Sequence, residues 1–471
     1  MRIFFYGIGR VYRQRRDELT VMREDDTFLG FIDKRAAACR TFDGAHVYLP
    51  DEAVREDFDA IVVTAAAFGE IKEELCLRGV DEGKVYAYEE YFQLKIGDAR
   101  TEYGDFGTLK GKKILMATPD IGYHGGALAL LHAAIATQQA GYRVTLAAAT
   151  IDRRLLHELM AFPIQVMEIP AIRFLSAAQL AFLQEYDAVV ANVFPMVRFA
   201  VRTAQWRPVL WWLHECRDAF SETLDMFSET KDASAFSRLR IAAVSSLAQE
   251  NFEAYYPGRV DTILPYCMPD SGREFTSVPQ ERVTFALIGG VCRRKAQDVF
   301  LDAVALLPER LRERAEFQLI GDSAGRDEYS ADVRAMVAGN ESICLRGVLT
   351  REEMQEAFRT IDVVACASRE ETMSLTITEG MMYGKVCITT DATGMADYIR
   401  SGENGFVVPT EDAKALARCM ADIIEQPERY ADMRAAARRT YEEHFTPKIF
   451  AARLTAELEK TVESWKEGPC G

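Results

Sequence analysis

Short apolar runs that break at a glycine, a proline or a charge recur along this chain, with stretches of helical spacing between them. Lys113–Ala117, Arg143–Ala148, Ala188–Asn192, Pro208–Leu213 and Ile241–Val244 form one series. Thr284–Gly289, Glu316–Ile320, Ser342–Arg346, Val363–Ala367 and Val386–Thr390 form another. Runs this apolar and β-branched suit strands buried on both faces. Strands alternating with helices imply parallel sheets, because a parallel pair needs a long crossover and a helix supplies it. A shorter series comes first, Arg2–Tyr6, Thr27–Ile32, Ala60–Thr64 and Lys84–Ala87, with an amphipathic stretch at Ala67–Arg78. The expected architecture is α/β, with a small parallel-sheet unit over 1–98 and a polar, glycine-bearing linker over 99–112. Two doubly wound units follow in tandem, 113–266 and 267–446, divided after Leu264-Pro265-Tyr266. Amphipathic stretches at Ala413–Ile424, Pro427–Glu442 and Pro447–Trp465 close the chain. Tandem doubly wound units place a cleft between the C-terminal edges of their strands.

Charge narrows the partners. Against 72 acidic residues stand 56 basic ones, a net charge of −16. That argues against a general nucleic-acid or anionic-membrane binder, though not against a local cationic pocket for a phosphorylated ligand. No run of about 18 apolar residues occurs, so no transmembrane helix is expected and at most peripheral membrane contact. MRIFFYGIGR turns charged at once, unlike a secretion signal. Ten cysteines without a C-x-x-C pair read as reduced core thiols in a cytoplasmic protein.

The densest chemical signal runs from Ser368 to Gly384. Glu371 and Glu379 stand eight positions apart across a strand-to-helix junction. Between them Thr372, Met373, Ser374 and Leu375 offer backbone N–H groups at a helix start, where an anion is best held. Taken alone, the pair also suits a solvated acidic helix start. A second element is Leu287-Ile-Gly289-Gly290-Val-Cys-Arg293-Arg294-Lys295. Three cations beside a helix start are unfavourable unless an anion joins them. A third is Asp120-Ile-Gly-Tyr-His124-Gly125-Gly126, whose glycine pair lets amides approach a ligand. The fourth is Trp211-Trp-Leu213-His214-Glu215, a strand that runs into a histidine at its cleft edge, able to bond hydroxyls without changing charge.

With Thr389-Thr-Asp391-Ala-Thr-Gly394 and Ser401-Gly402-Glu-Asn404-Gly405-Phe-Val-Val-Pro409 after it, the Ser368–Gly384 stretch resembles retaining glycosyltransferases of family 4. These have the two-Rossmann-domain GT-B architecture. The resemblance spans about 113–466. It implies that Glu379 bonds the nucleotide ribose, that Glu371 faces the donor sugar and that the Thr372–Leu375 amides hold the diphosphate. Here Thr372-Met-Ser-Leu375 stands where the family has Gly-Phe-Gly-Leu. Lys295 matches the lysine that contacts donor phosphates in a Lys-Gly-x-Asp start. Gly289 matches the turn before it, and Gly290 replaces the family arginine, leaving Arg293 or Arg294 to substitute. Gly125 and Gly126 match the loop where donor and acceptor meet, with His124 either lining the cleft or exposed. His214 matches a histidine beside donor sugar and acceptor.

The implied reaction moves a sugar from a nucleoside diphosphate sugar to a hydroxyl of a sugar, glycan or lipid-linked acceptor, as in polysaccharide biosynthesis, with anomeric retention. The leaving phosphate oxygen would take the acceptor proton. No cofactor is implied, and neither an Asp-x-Asp in the cleft loops nor a metal-ligand cluster occurs, which predicts metal independence. The closing helix, 447–466, would pack back on the 113–266 unit.

In the first unit, Gly7-Ile-Gly9-Arg-Val-Tyr12 and Asp33 resemble the start of a dinucleotide fingerprint whose third glycine is Tyr12. The unit resembles Rossmann-like domains appended to sugar-modifying enzymes. Two alternatives remain at this point: a degenerate sugar-nucleotide-binding scaffold, and an NAD(P)-dependent sugar-nucleotide oxidoreductase using the first unit.

Overall fold

The computed structural model describes residues 1–468 apart from 10, 14–15, 17–18, 21–22, 38–39, 66, 97–99, 177, 221–222, 225–226, 272–280, 326 and 341. Three sheets carry the fold. The first has the order Thr41–Phe42, Ala45–Tyr48, Thr27–Ile32, Arg2–Tyr6, Ala60–Val63, Val85–Ala87. Its pairings are parallel except for the Thr41–Phe42 and Ala45–Tyr48 hairpin. The sequence reading lacks that hairpin, because strands of two and four residues are too short to display a period. The stretch after Gly9 read as helical lies only partly within the described residues.

The middle sheet has eight strands, in the order Thr262–Ile263, Leu239–Ala243, Val209–Leu213, Ala188–Asn192, Lys113–Ile121, Arg143–Ile151, Gln165–Glu168, Thr101–Tyr103. The last of these corrects an expectation. Part of the stretch read as a linker is an edge strand, antiparallel to Gln165–Glu168, while residues 97–99 lie outside the described residues. Thr101 and Glu102 are exposed, so this strand has no apolar run to betray it. Lys113–Ile121 extends beyond the apolar run Lys113–Ala117 and passes through Pro119. The ladder passes from Thr118 opposite Ala148 to Asp120 opposite Thr150, so the missing proline N–H breaks no pair. The helix that follows is Gly125–Gln139.

The third sheet is wholly parallel, in the order Ile343–Gly347, Ala315–Ile320, Val283–Ile288, Val363–Cys366, Val386–Thr390, Phe406–Val408. Strand order reverses between Lys113–Ile121 and Ala188–Asn192 in the middle sheet, and between Val283–Ile288 and Val363–Cys366 in the third. Such reversals open a crevice at the carboxyl ends of the strands.

Two docking contacts complete the frame. The helix Pro447–Glu467 lies on the middle sheet and on the helix Gly125–Gln139. Phe450 sits 5.5 Å from the Trp212 ring, Arg240 pairs with Glu457 at 2.7 Å, and Trp465 Nε1 donates to the Ala204 carbonyl at 2.6 Å. The first unit meets the middle one through its helix Tyr88–Ile96, which packs on Ile172–Phe174, and through an Arg198–Glu90 pair at 2.8 Å.

Of the cysteines, Cys267, Cys366 and Cys387 are buried, as core thiols should be, but Cys292 and Cys344 are exposed. Cys292 sits in a cleft loop, and Cys344 points outward from an edge strand. Cys39 and Cys470 lie outside the described residues.

Candidate functional site

The cleft is built from strand ends. Val283–Ile288 ends in Gly289 at φ +149°, where only glycine is comfortable. The Lys295 stem crosses this glycine, with Cε 3.5 Å from where a Cβ would stand. Arg293–Lys295 forms one tight turn. Ala296 then takes φ 52°, the left-handed conformation, before the helix Gln297–Leu306. An alanine held there, where the resembled family has glycine, is strained by about 1–2 kcal/mol.

On the neighbouring strand, Val363–Cys366 leads into Ser368–Glu371. One oxygen of Glu371, Oε2, accepts both Arg294 Nη1 at 2.8 Å and the Lys295 ammonium. Arg294 also reaches the Glu370 carbonyl at 3.1 Å. Arg293 is exposed, and its carbonyl accepts Arg369 at 2.7 Å. Of the two arginines left open by the sequence, Arg294 is the one that faces Glu371. Burial works against the charges of Arg294 and Lys295. Glu371 more than offsets it, so both are held above their usual values. Arg369 braces the loop through Asp298, at 2.7 and 3.0 Å, and through Glu411.

The helix Leu375–Met382 starts beside this pair. Ser374 caps it, its hydroxyl accepting the Ile377 amide at 3.4 Å. Thr372 is committed within the protein: its amide meets the Cys216 thiol and its hydroxyl donates to the His214 carbonyl at 2.6 Å. Met373 is buried, as are Thr372 and Ser374. Glu379 lies in the second turn of the helix, half-buried. Burial pushes its carboxyl up to about 7, with Arg351 pulling the other way.

From the middle sheet, Gly125 opens the helix Gly125–Gln139. A Cβ there would lie 4.0 Å from Leu375 Cδ1, so this loop faces the helix start across the cleft. A Cβ on Gly126 would come within 3.0 Å of Val193 Cγ1. His124 is half-exposed at the mouth and bonds Asp120 at 2.7 Å, which raises its pKa. The His214 ring stacks edge-on with Trp212, and burial lowers its pKa to about 3, so the imidazole is neutral. Its Nε2 is buried without a partner. The structure thus gathers Gly125, His214, Gly289, Arg294, Lys295, Glu371, Thr372 and Leu375 into one run of contacts, with Glu379 one helical turn beyond.

Sequence reasoning missed the residues that join the two halves. Glu370 accepts the Asn251 side chain and the Arg217 amide, each at 2.7 Å. Ser245 Oγ donates to the Thr372 carbonyl at 2.5 Å, and Ser246 Oγ to Asp397 at 2.5 Å. Partners 119 to 153 positions apart leave no local pattern to read.

Residues 271–440 match the family model described as glycosyl transferases group 1, and residues 1–86 match one described as C2185-like, N-terminal. Residues 271–440 are a group 1 glycosyl transferase domain. Among curated relatives, a D-inositol 3-phosphate glycosyltransferase of Streptomyces scabiei is 28% identical over 190 residues, covering 39% of this chain and 43% of the relative. The putative glycosyltransferase EpsD of Bacillus subtilis is 28% identical over 147 residues, covering 31% and 37%. The chain therefore spans less than half the length of these relatives.

Among solved structures, Anabaena Alr3699/HepE in complex with UDP and glucose aligns with TM-score 0.61 at 18% identity, covering 74% of this chain and all of that one. A glycosyltransferase from Rickettsia africae aligns with TM-score 0.62 at 16% identity, covering 75% and 99%. The fold is that of GT-B glycosyltransferases, preceded by an additional N-terminal unit. The group 1 domain contains Gly289, Arg293, Arg294, Lys295, Glu371, the Thr372–Leu375 loop and Glu379. His214, Gly125 and Gly126 come from the sheet before it.

The N-terminal unit is tied up internally. Both oxygens of Asp33 accept Arg35, at 2.8 and 2.9 Å, and one also accepts the Ile8 amide at 3.3 Å, which together hold its carboxyl low. Tyr12 is buried against Phe5, Phe31 and Phe42. Asp33 of the fingerprint-like start is thus engaged by the protein itself, and the position of the third glycine is filled by an aromatic core.

Proposed function

We propose that this cleft transfers a sugar from a nucleoside diphosphate sugar to a hydroxyl of a sugar, glycan or lipid-linked acceptor, retaining the anomeric configuration and using no metal ion. The observation that carries the reading is the convergence of Arg294 and Lys295 on one oxygen of Glu371, at a glycine turn and beside a helix start. Two cations beside a helix start suit a diphosphate, whose charge grows as the glycosidic bond breaks. Glu379 then serves the ribose, and Glu371, released from the cations, serves the donor sugar. Neutral His214 bonds hydroxyls next to the reacting carbon. The leaving phosphate oxygen takes the acceptor proton on the same face, so no protein base is required.

The Anabaena neighbour is described with UDP and glucose, which makes uridine nucleotides the first to test. Calorimetry with UDP, GDP and ADP, followed by nucleotide release from the matching sugar donors with an acceptor panel, checks the proposal. Absence of nucleotide binding overturns it. Tight binding without release for any acceptor favours a sugar-nucleotide-binding scaffold instead.

A further inference from the structure

Glu215 follows His214 at the end of the strand Val209–Leu213 and is 8% exposed. Its Oε1 accepts the Phe194 amide at 2.7 Å and its Oε2 accepts the His214 amide at 2.9 Å. One carboxylate therefore ties together the ends of two neighbouring strands, Ala188–Asn192 and Val209–Leu213. Among the described residues no cation pairs with it. A buried carboxylate without a counter-ion is costly. The chemistry of the two bonds explains why an acid is kept. An ionised carboxylate accepts at both oxygens and presents no donor, whereas an amide turns its NH2 donor toward one of the two N–H groups.

What the carboxylate holds is a strained turn. Val193, just before Phe194, has φ 68° and ψ 156°, a conformation almost confined to glycine. Three main-chain polar groups at this turn are pinned. The Val193 amide donates to the Trp212 carbonyl at 2.8 Å, Trp211 Nε1 donates to the Val193 carbonyl at 2.8 Å, and the Phe194 amide donates to Glu215. So fixed, Val193 presses its methyl against Gly126 in the glycine loop. The second oxygen of Glu215 fixes the His214 main chain, whose ring Nε2 is buried without a partner.

We propose that Glu215 is a positioning residue whose carboxylate, through the Phe194 and His214 amides, sets the spacing between the His214 ring and the Gly125-Gly126 loop, and so orients the acceptor hydroxyl toward the donor. The inference rests on the glycosyl-transfer reading. It adds that the acceptor side of the cleft is set from beneath by a residue that touches neither substrate.

The test compares full-length wild type with E215Q, read by amide hydrogen exchange, by UDP calorimetry and by turnover of whichever of UDP-, GDP- or ADP-glucose the wild type uses. Exchange of the Phe194 and His214 amides should speed about tenfold or more, while the strand interiors stay protected. kcat should fall about 10- to 100-fold, as expected of a small misplacement, with the UDP Kd within about twofold of wild type. E215D keeps the charge on a shorter arm and should fall between the two; it carries the comparison if E215Q does not fold. Unchanged exchange at the two amides, unchanged kcat, or a nucleotide Kd that worsens in step with kcat each overturn the proposal while leaving the transferase reading intact. A wild type that turns over no donor removes the transferase reading, and this inference with it.

Discussion

Thr372 Oγ1 donates to the main-chain carbonyl of His214 at 2.6 Å, across 158 positions of sequence. With Ser245 Oγ bonded to the Thr372 carbonyl, this hydroxyl pins the loop of the group 1 domain to the strand end that carries the cleft histidine. Side-chain bonds thus fix the loop to the opposite sheet. Gly394 packs under the same loop: a Cβ on it would fall 2.0 Å from the Thr372 carbonyl oxygen, so any larger residue there would displace the loop.

Lys295→Ala should lower turnover more than it weakens donor binding, because the contact strengthens as phosphate charge develops. One lost charge-assisted contact is of order 2–4 kcal/mol, or roughly 30- to 800-fold. Arg294→Ala should follow it and Arg293→Ala should not, since Arg294 is the one on Glu371. Steady-state kinetics of the three variants decide the assignment, and equal losses for both arginines would contradict it.

Glu379 gives a pH signature. Burial raises its folded value to about 7 from 4.5, so the unfolded chain ionises first. This contribution to stability is full below about 4.5 and is lost as pH rises through about 7. Glu379→Gln should therefore raise Tm by a few degrees near pH 8 and by little near pH 5. Nucleotide affinity runs the other way, since a ribose hydroxyl needs the ionised acceptor: it should strengthen from about pH 6 to 8 in wild type and flatten in the variant. Glu215, pushed to about 7 by its own burial, shares the stability window, and its ionised form, the one that accepts both amides, prevails above that range. A Tm gain of equal size at both pH values would refute the assignment.

On the proposed reading turnover should persist in excess EDTA, because Arg294 and Lys295, which meet at Glu371, would neutralise the leaving phosphate charge together with helix-start amides. Complete loss that Mg²⁺ restores would overturn metal independence.

Leu454→Ala should cost about 2–5 kcal/mol. Leu454 is buried with Phe450 and Leu458 on the closing helix, which packs on the middle sheet. Truncation after Thr446 should cost more and also slow turnover, because the helix straps the last segment of the chain to the histidine-bearing sheet. Chemical denaturation measures the first effect and kinetics the second. A truncated protein of wild-type stability would contradict this packing.

Deletion of residues 1–98 should leave a remainder that still binds nucleotide, since every donor-side group lies beyond Lys113. Its Tm should nevertheless fall, because the cut removes Glu90 from Arg198 and uncovers Ile172 and Phe174 beneath the helix Tyr88–Ile96. Thermal unfolding with and without UDP reads both effects. A folded remainder without nucleotide affinity would show that the first unit contributes to the site.

The sequence by itself determined the parallel sheets, because long buried strands must be apolar along their whole length, as Ala188–Asn192 and Val363–Cys366 are. It also determined the donor-side loops, because a glycine turn, three cations and a pair of glutamates lie within short windows. Short or wet elements escaped it, such as the hairpin at Thr41–Tyr48 and the edge strand Thr101–Tyr103, where periodicity has too few residues or no apolar face to act on. Only the tertiary structure decided that Arg294 rather than Arg293 meets Glu371. Adjacent residues in a tight turn point in different directions, and sequence spacing cannot tell them apart. The same holds for Glu215 and Glu370, whose roles consist of bonds to backbone amides, groups that every residue possesses and no sequence pattern marks.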